Sequence, residues 1–214
     1  MNGMENGARR TEDGRPSVAV VDYRAGNLTS LLKGLSAAGA HAFVSSDPEA
    51  IRGAAGIVVP GVGHFAATAA IDEGLRAAIV EGAGHDRPLL GICLGLQFLF
   101  DGSEEAPDAR GLGLLSGRCT FLRGDVKVPH VGWNTLERKR DSALLVGVDS
   151  GAYVYFTHSY AAPITDACVA STAHGADFAA IVDDGRRVFG VQFHPEKSGE
   201  DGMRILRNFV ALCR

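Results

Sequence analysis

The sequence predicts an α/β fold: a three-layer arrangement with a mostly parallel central sheet, helices on both faces and an antiparallel C-terminal extension. Three observations carry this. Short apolar runs alternate with helix-patterned segments through the first hundred residues. The runs are continuously apolar, as strands covered on both faces are. The second half changes to closely spaced short strands joined by turns that contain Gly, Pro or Asp. A β-α-β alternation requires crossovers, so the first half pairs in parallel and its helices cover the sheet.

Residues 1–16, MNGMENGARRTEDGRP, hold almost no apolar side chains and are expected to form a disordered tail. Residues 17–214 are expected to form a single domain. SVAVVDY (17–23) is the first buried strand. Asn27 can cap a helix over 28–39, where Leu28, Leu31, Leu32 and Leu35 recur at i, i+3, i+4 and i+7 and make one apolar face. HAFVSS (41–46) is a short strand, and Asp47-Pro48 reads as N-cap and N1 of a brief helix. GIVVPG (56–61) is a strand running into the turn Pro60-Gly61-Val62-Gly63. A helix over about 65–81 follows, then a strand at 88–93 and a helix at 94–100. Segments 118–122, 131–137, 152–160, 167–174, 178–184 and 187–194 read as strands. Met203, Leu206, Phe209, Val210 and Cys213 have the spacing of a final helix. No internal repeat or linker divides the chain.

Composition excludes several functions. The 214 residues are 46% hydrophobic and 21% charged, an ordinary globular balance for one domain. The net charge of −4 leaves no basic face for nucleic acid or a membrane surface. No apolar run approaches the ~20 residues that span a bilayer. The polar N-terminus lacks the apolar stretch of a secretory signal, so a cytoplasmic location is expected. The cysteines, at 93, 119, 168 and 213, match no zinc or redox spacing.

In such sheets the chemistry lies at the carboxyl ends of the strands. Gly91-Ile92-Cys93-Leu94-Gly95 puts a cysteine at a strand-to-helix turn with a glycine two residues away on each side. That is the nucleophile-elbow arrangement with sulfur as the nucleophile. The helix that begins there sets its positive end against the sulfur, which favours the reactive thiolate. A thiolate needs a proton carrier. Of seven histidines, His194 ends an apolar strand, and Pro195 holds the backbone between it and Glu196. A carboxylate beside an imidazole sets its tautomer and orientation, which completes a triad. The N–H of Leu94, at the helix start, has no intrahelical partner and can receive an oxyanion. The glycines around Val62 leave a second backbone N–H approachable.

GICLGLQ (91–97) with QFHPE (192–196) resembles the class I, triad-type glutamine amidotransferases. DYRAGNL (22–28), PGVGHF (60–65), GICLGLQFLF (91–100), VPHVGWN (128–134), FTHSY (156–160) and FHPEKS (193–198) together are similar to the glutaminase subunits of imidazole glycerol phosphate synthase. The likeness runs from about residue 17 to the C-terminus. PGVGHF and PHVGWN distinguish this branch. Arg24-Ala25 departs from it, because many relatives carry a glycine soon after the tyrosine.

The resemblance implies hydrolysis of L-glutamine to glutamate and ammonia by Cys93, His194 and Glu196. It implies an oxyanion hole from the Val62 and Leu94 backbone. It implies substrate contacts from Gly63, Gln97, Glu105, Ser159 and Tyr160, with no cofactor and no metal. Gln97 lies one helical turn beyond Cys93, and a carboxylate at Glu105 suits the substrate α-ammonium. The resemblance further implies a heterodimer with a (β/α)₈-barrel cyclase, which uses the ammonia to make imidazole glycerol phosphate and AICAR in histidine biosynthesis. Asn27, His130, Trp133 and Lys197 are the expected rim of that interface. Two other readings remain open. One is a class I amidotransferase of another pathway. The other is a cysteine peptidase or redox-sensing chaperone on the same fold, which would need neither Gln97 with Glu105 nor a docking rim.

Overall fold

A computed structural model describes residues 9–24, 28–84 and 87–213. In chain order the strands are β1 (Ser17–Val21), β2 (His41–Ser45), β3 (Gly56–Val59), β4 (Leu89–Ile92), β5 (Gly102–Ser103), β6 (Ala106–Arg110) and β7 (Arg118–Phe121). They continue as β8 (His130–Thr135), β9 (Glu137–Arg138), β10 (Tyr153–His158), β11 (Tyr160–Ala161), β12 (Cys168–His174), β13 (Ala176–Asp183) and β14 (Val188–Val191). The helices are α1 (Leu28–Ala37), α2 (Pro48–Gly53), α3 (Glu73–Gly84), α4 (Leu94–Leu99) and α5 (Gly199–Leu212).

Eight strands form the central sheet in the order β2-β1-β3-β4-β14-β13-β12-β9. From β2 to β14 the pairing is parallel, and β13, β12 and β9 extend it antiparallel. The expected α/β fold with an antiparallel extension is what forms. Smaller sheets of β8 with β10, and of β11-β7-β5-β6, lie beyond it.

Strand periodicity divides the core into two layers. Val18 and Val20 face one side with Leu31 and Leu35 of α1 and Leu206 and Phe209 of α5. Ala19 and Val21 face the other with Ile51 of α2, Leu75 and Ile79 of α3 and Leu94 of α4. Every residue of β1 is buried, which accounts for the apolar run that follows Ser17.

Three features differ from the sequence expectation. The helix expected over 65–81 is two pieces, a 3₁₀ segment Phe65–Ala70 and then α3. Ile71 breaks it with extended angles, and Asp72 starts the next helix by accepting the Leu75 N–H at 2.8 Å. The polar, partly exposed β5–β6 hairpin had no strand signal. Within the segment expected as a tail, residues 1–8 lie outside the described residues. Residues 9–16 turn back on themselves, with an isolated bridge between Arg10 and Pro16. Arg24 holds φ 64, in the left-handed region where glycine is least strained, so the departure from Gly near this position has a backbone counterpart.

Among the described residues no helix is long and apolar enough to cross a membrane. No group of three or more His, Cys, Asp or Glu there could hold a metal ion.

Candidate active site

The site lies where β4 and β14, parallel neighbours, end together. Their register pairs Val191 with Ile92, and the Cys93 N–H donates to the Val191 carbonyl at 2.8 Å. Cys93 is therefore level with Gln192 and close to His194. Its backbone takes φ 54 and ψ −107, a conformation that non-glycine residues avoid. The two flanking glycines make this turn possible. A Cβ on Gly91 would fall 2.6 Å from the Gly95 carbonyl oxygen, and one on Gly95 would fall 1.8 Å from the Val59 oxygen. The elbow is thus packed backbone to backbone, and any side chain there would push α4 off the sheet.

His194 and Glu196 are buried beside Cys93. The imidazole Nδ1 donates to the Glu196 carboxylate at 2.9 Å, with side-chain exposures of 4% and 8%. Because a carboxylate only accepts, Nδ1 carries the proton. The neutral ring therefore presents Nε2 as an acceptor. That nitrogen is buried without a hydrogen bond of regular geometry, with Cys93 as its acidic neighbour. Burial works against the charged ring, but Cys93 and Glu196 outweigh it and raise the His194 pKa to about 9. The backbone of His194 is fastened by Ser198, whose hydroxyl donates to the His194 carbonyl at 2.6 Å and accepts the Tyr155 N–H at 2.9 Å.

Leu94 is the first residue of α4, so its N–H has no intrahelical acceptor. The turn bearing Val62 and Gly63 follows β3. It is set against α4, since a Cβ on Gly61 would lie 2.8 Å from that of Leu94. Gly63 has φ +100 and Val62 is 40% exposed. The buried Tyr23 hydroxyl, two residues past the end of β1, donates to the Pro60 carbonyl at 2.6 Å and braces the turn. Glu105 accepts the Phe65 N–H at 2.7 Å, which ties the β5–β6 hairpin to the far end of the same turn. Gln97 donates to the Tyr160 carbonyl at 2.7 Å and to Gln192 Oε1 at 3.2 Å. The Ser159 carbonyl accepts the Leu122 N–H at 2.9 Å, which anchors the segment before Tyr160. Tyr160 sets its ring edge-on against Phe121.

Only some of the residues expected on the rim are exposed. Trp133 is 55% exposed on β8, and Lys197 is exposed just after Glu196. Asn27 lies outside the described residues. His130 does not belong to an exposed surface: it is 5% exposed, stacked between Phe156 and His174. Alternation along β8 turns it inward while Val131 and Trp133 face out. Inside, His130 Nδ1 meets His158 Nε2 at 3.1 Å, and His158 Nδ1 donates to the Tyr160 carbonyl at 2.9 Å. Burial keeps both rings neutral, lowering the pKa of His130 to about 4 and of His158 to about 3.

Some contacts around the site were hidden in the sequence. Tyr23, Gln192, Ser198 and His158 all sit inside motifs that carry the resemblance, but spacing alone assigns them no contact.

A family model described as "Glutamine amidotransferase class-I" matches residues 19–213. The chain belongs to the class I glutamine amidotransferases. Within them it groups with proteins named imidazole glycerol phosphate synthase subunit HisH. The Halobacterium salinarum protein is 50% identical, covering 92% of this chain and 94% of its own. The Thermococcus kodakarensis protein is 45% identical, covering 91% and 100%. Among solved structures, PurLQS of Thermotoga maritima superposes with a TM-score of 0.73 at 20% identity, covering 94% of this chain and all of its own. A structure titled glutamine amidotransferase gives 0.71 at 18%, covering 91% and 98%. At those identities the structures establish a shared fold and nothing finer.

Proposed function

We propose that this HisH-type amidotransferase hydrolyses glutamine with Cys93 as nucleophile, His194 as proton carrier and Glu196 as its orienting carboxylate. The observation that carries the reading is the strained cysteine elbow beside an imidazole bonded to a buried carboxylate, all at one sheet edge. The Cys93 proton passes to His194 Nε2, and the sulfur attacks the substrate carboxamide carbon. The resulting oxyanion is received by the N–H of Leu94 and of Val62. His194 then protonates the departing ammonia. In the second half, His194 takes a proton from water, which attacks the thioester and releases glutamate.

Glu105 pairs with the substrate α-ammonium, and the Gly63 and Ser159-Tyr160 backbone lines the pocket. Both Gln97 amide hydrogens are engaged, so its Oε1 is left to accept from a substrate N–H. The ammonia passes to a (β/α)₈-barrel cyclase subunit that makes imidazole glycerol phosphate and AICAR. Exposed Trp133 and Lys197, with Asn27, mark the docking rim. His130 acts behind it, not on it. Residues 17–214 constitute the glutaminase domain. The test is glutamate release by Cys93→Ala, with casein as a control substrate. Loss of glutamate release, with casein untouched by either protein, supports the reading. Casein cleavage by the unaltered chain would favour the peptidase alternative.

A further inference from the structure

Gln192 has no exposed surface. A buried carboxamide needs partners for one acceptor and two N–H groups. Its oxygen accepts from Gln97 Nε2 at 3.2 Å, and its nitrogen lies 3.6 Å from the Cys93 sulfur. The direction of this chain follows from its anchor. The Tyr160 carbonyl can only accept, and Gln97 Nε2 stands 2.7 Å from it, so the Gln97 nitrogen must face that way. His158 donates to the same carbonyl and holds it in place. The Gln97 nitrogen then meets Gln192, whose oxygen must face it. The Gln192 nitrogen is left pointing at sulfur. Flipping Gln97 would set oxygen against the Tyr160 carbonyl, and flipping Gln192 would set two N–H groups together.

We propose that Gln192 is a further catalytic residue, whose side-chain N–H donates to the Cys93 sulfur and favours its thiolate form. The inference rests on Cys93 being the nucleophile. Besides His194, the sulfur also has the Thr157 carbonyl as a polar neighbour at 3.8 Å, an acceptor that favours the protonated thiol. Gln192 supplies the opposing preference. Charge leaves the sulfur as it attacks, so this bond is strongest before attack. Its effect is on how much of the enzyme is ready to react, with the thiol proton held on His194. One amide thereby couples two tasks: it primes the nucleophile and fixes which atom Gln97 offers to substrate.

The test is the pH dependence of iodoacetamide labelling at Cys93, read by peptide mapping on the full chain. Gln192→Met keeps length and removes the donor. Gln192→Glu keeps shape and replaces the donor with an acceptor. Both variants should label Cys93 about tenfold more slowly at neutral pH, from loss of one hydrogen bond to a charged group. Their labelling midpoints should move to higher pH. A merely structural Gln192 would lower the melting temperature and leave the midpoint in place. The unaltered protein gives a readout independent of variant folding. The Gln192 side-chain amide proton signal should titrate with the labelling midpoint, and Cys93→Ala should abolish that titration. Unchanged labelling in folded variants, or an amide signal insensitive to Cys93, overturns the inference. Glutamine hydrolysis surviving in Cys93→Ala would instead overturn the assignment of the nucleophile.

Discussion

At the scale of single residues, the site stores strain where it needs reach. Cys93 sits at φ 54 and ψ −107, a conformation that costs a non-glycine residue about 1–3 kcal/mol. Cys93→Gly should therefore be more stable than Cys93→Ala, by about 1 kcal/mol after the entropy of glycine in the unfolded chain is subtracted. Urea unfolding of the two inactive variants checks this, and equal midpoints would mean the elbow is unstrained. His194 gives a pH signature. Its pKa is raised from 6.5 to about 9 in the folded protein. The stability it contributes is thus fully present below pH 6.5 and lost as pH rises through about 9. Activity follows the same limb, because the ring must be charged to protonate ammonia. kcat/KM should fall above pH about 9, and Glu196→Gln should bring that fall to lower pH. A flat alkaline profile would contradict the role of His194. The Cys93, His194 and Glu196 cluster was legible in the sequence because an elbow needs small neighbours at fixed offsets and a His-Pro-Glu turn admits few uses. Gln192 was not, because its meaning depends on β14 lying next to β4, a contact between residues 99 apart.

At the scale of elements, local signals were read well where one force acted and poorly where two competed. β1, β3 and β4 of the central sheet showed plainly because burial on both faces leaves almost only apolar residues. The helix expected over 65–81 ran through a break, because apolar spacing continued across Ile71 while Asp72 supplied a new start. Asp72→Ala should cost about 1 kcal/mol in thermal unfolding through loss of that cap, and leave glutamine hydrolysis unchanged. The β5–β6 hairpin escaped notice because Pro107 and its charged neighbours suit an exposed edge strand. His130 and Trp133 of PHVGWN were both expected on the rim, yet alternation along β8 splits the segment between exposed surface and core. The inner half makes the β8–β10 ribbon acid-sensitive. His130 and His158 have folded pKa values of about 4 and about 3, below the unfolded 6.5. The stability they contribute is present above pH 6.5 and lost as pH falls through about 4 and about 3. The urea midpoint should drop between pH 7 and pH 4, and less steeply in His158→Gln. An equal drop in that variant would place the acid sensitivity elsewhere.

At the scale of the whole molecule, parallel pairing gathers chemistry from distant segments. β3, β4 and β14 end together and deliver the Val62 turn, the cysteine elbow and His194 to one edge. The β8–β10 ribbon joins exposed Trp133 to the His158–Tyr160 carbonyl bond and so to Gln97. A partner docked on the proposed rim would thus meet a surface bonded inward to the site. The isolated chain should be a poor glutaminase, and a ligand-loaded cyclase should raise kcat about 10²–10³-fold with less change in KM. Full activity without a partner would mark a stand-alone glutaminase. The central claim, that Cys93 is the nucleophile, has a direct test. The other thiols are poor candidates: burial raises Cys119 and Cys168, and lifts Cys213 to about 12. A glutamine-mimicking diazo-ketone should inactivate the enzyme and label Cys93 alone, with glutamine protecting. Inactivation with the label on Cys119, Cys168 or Cys213 would contradict the account.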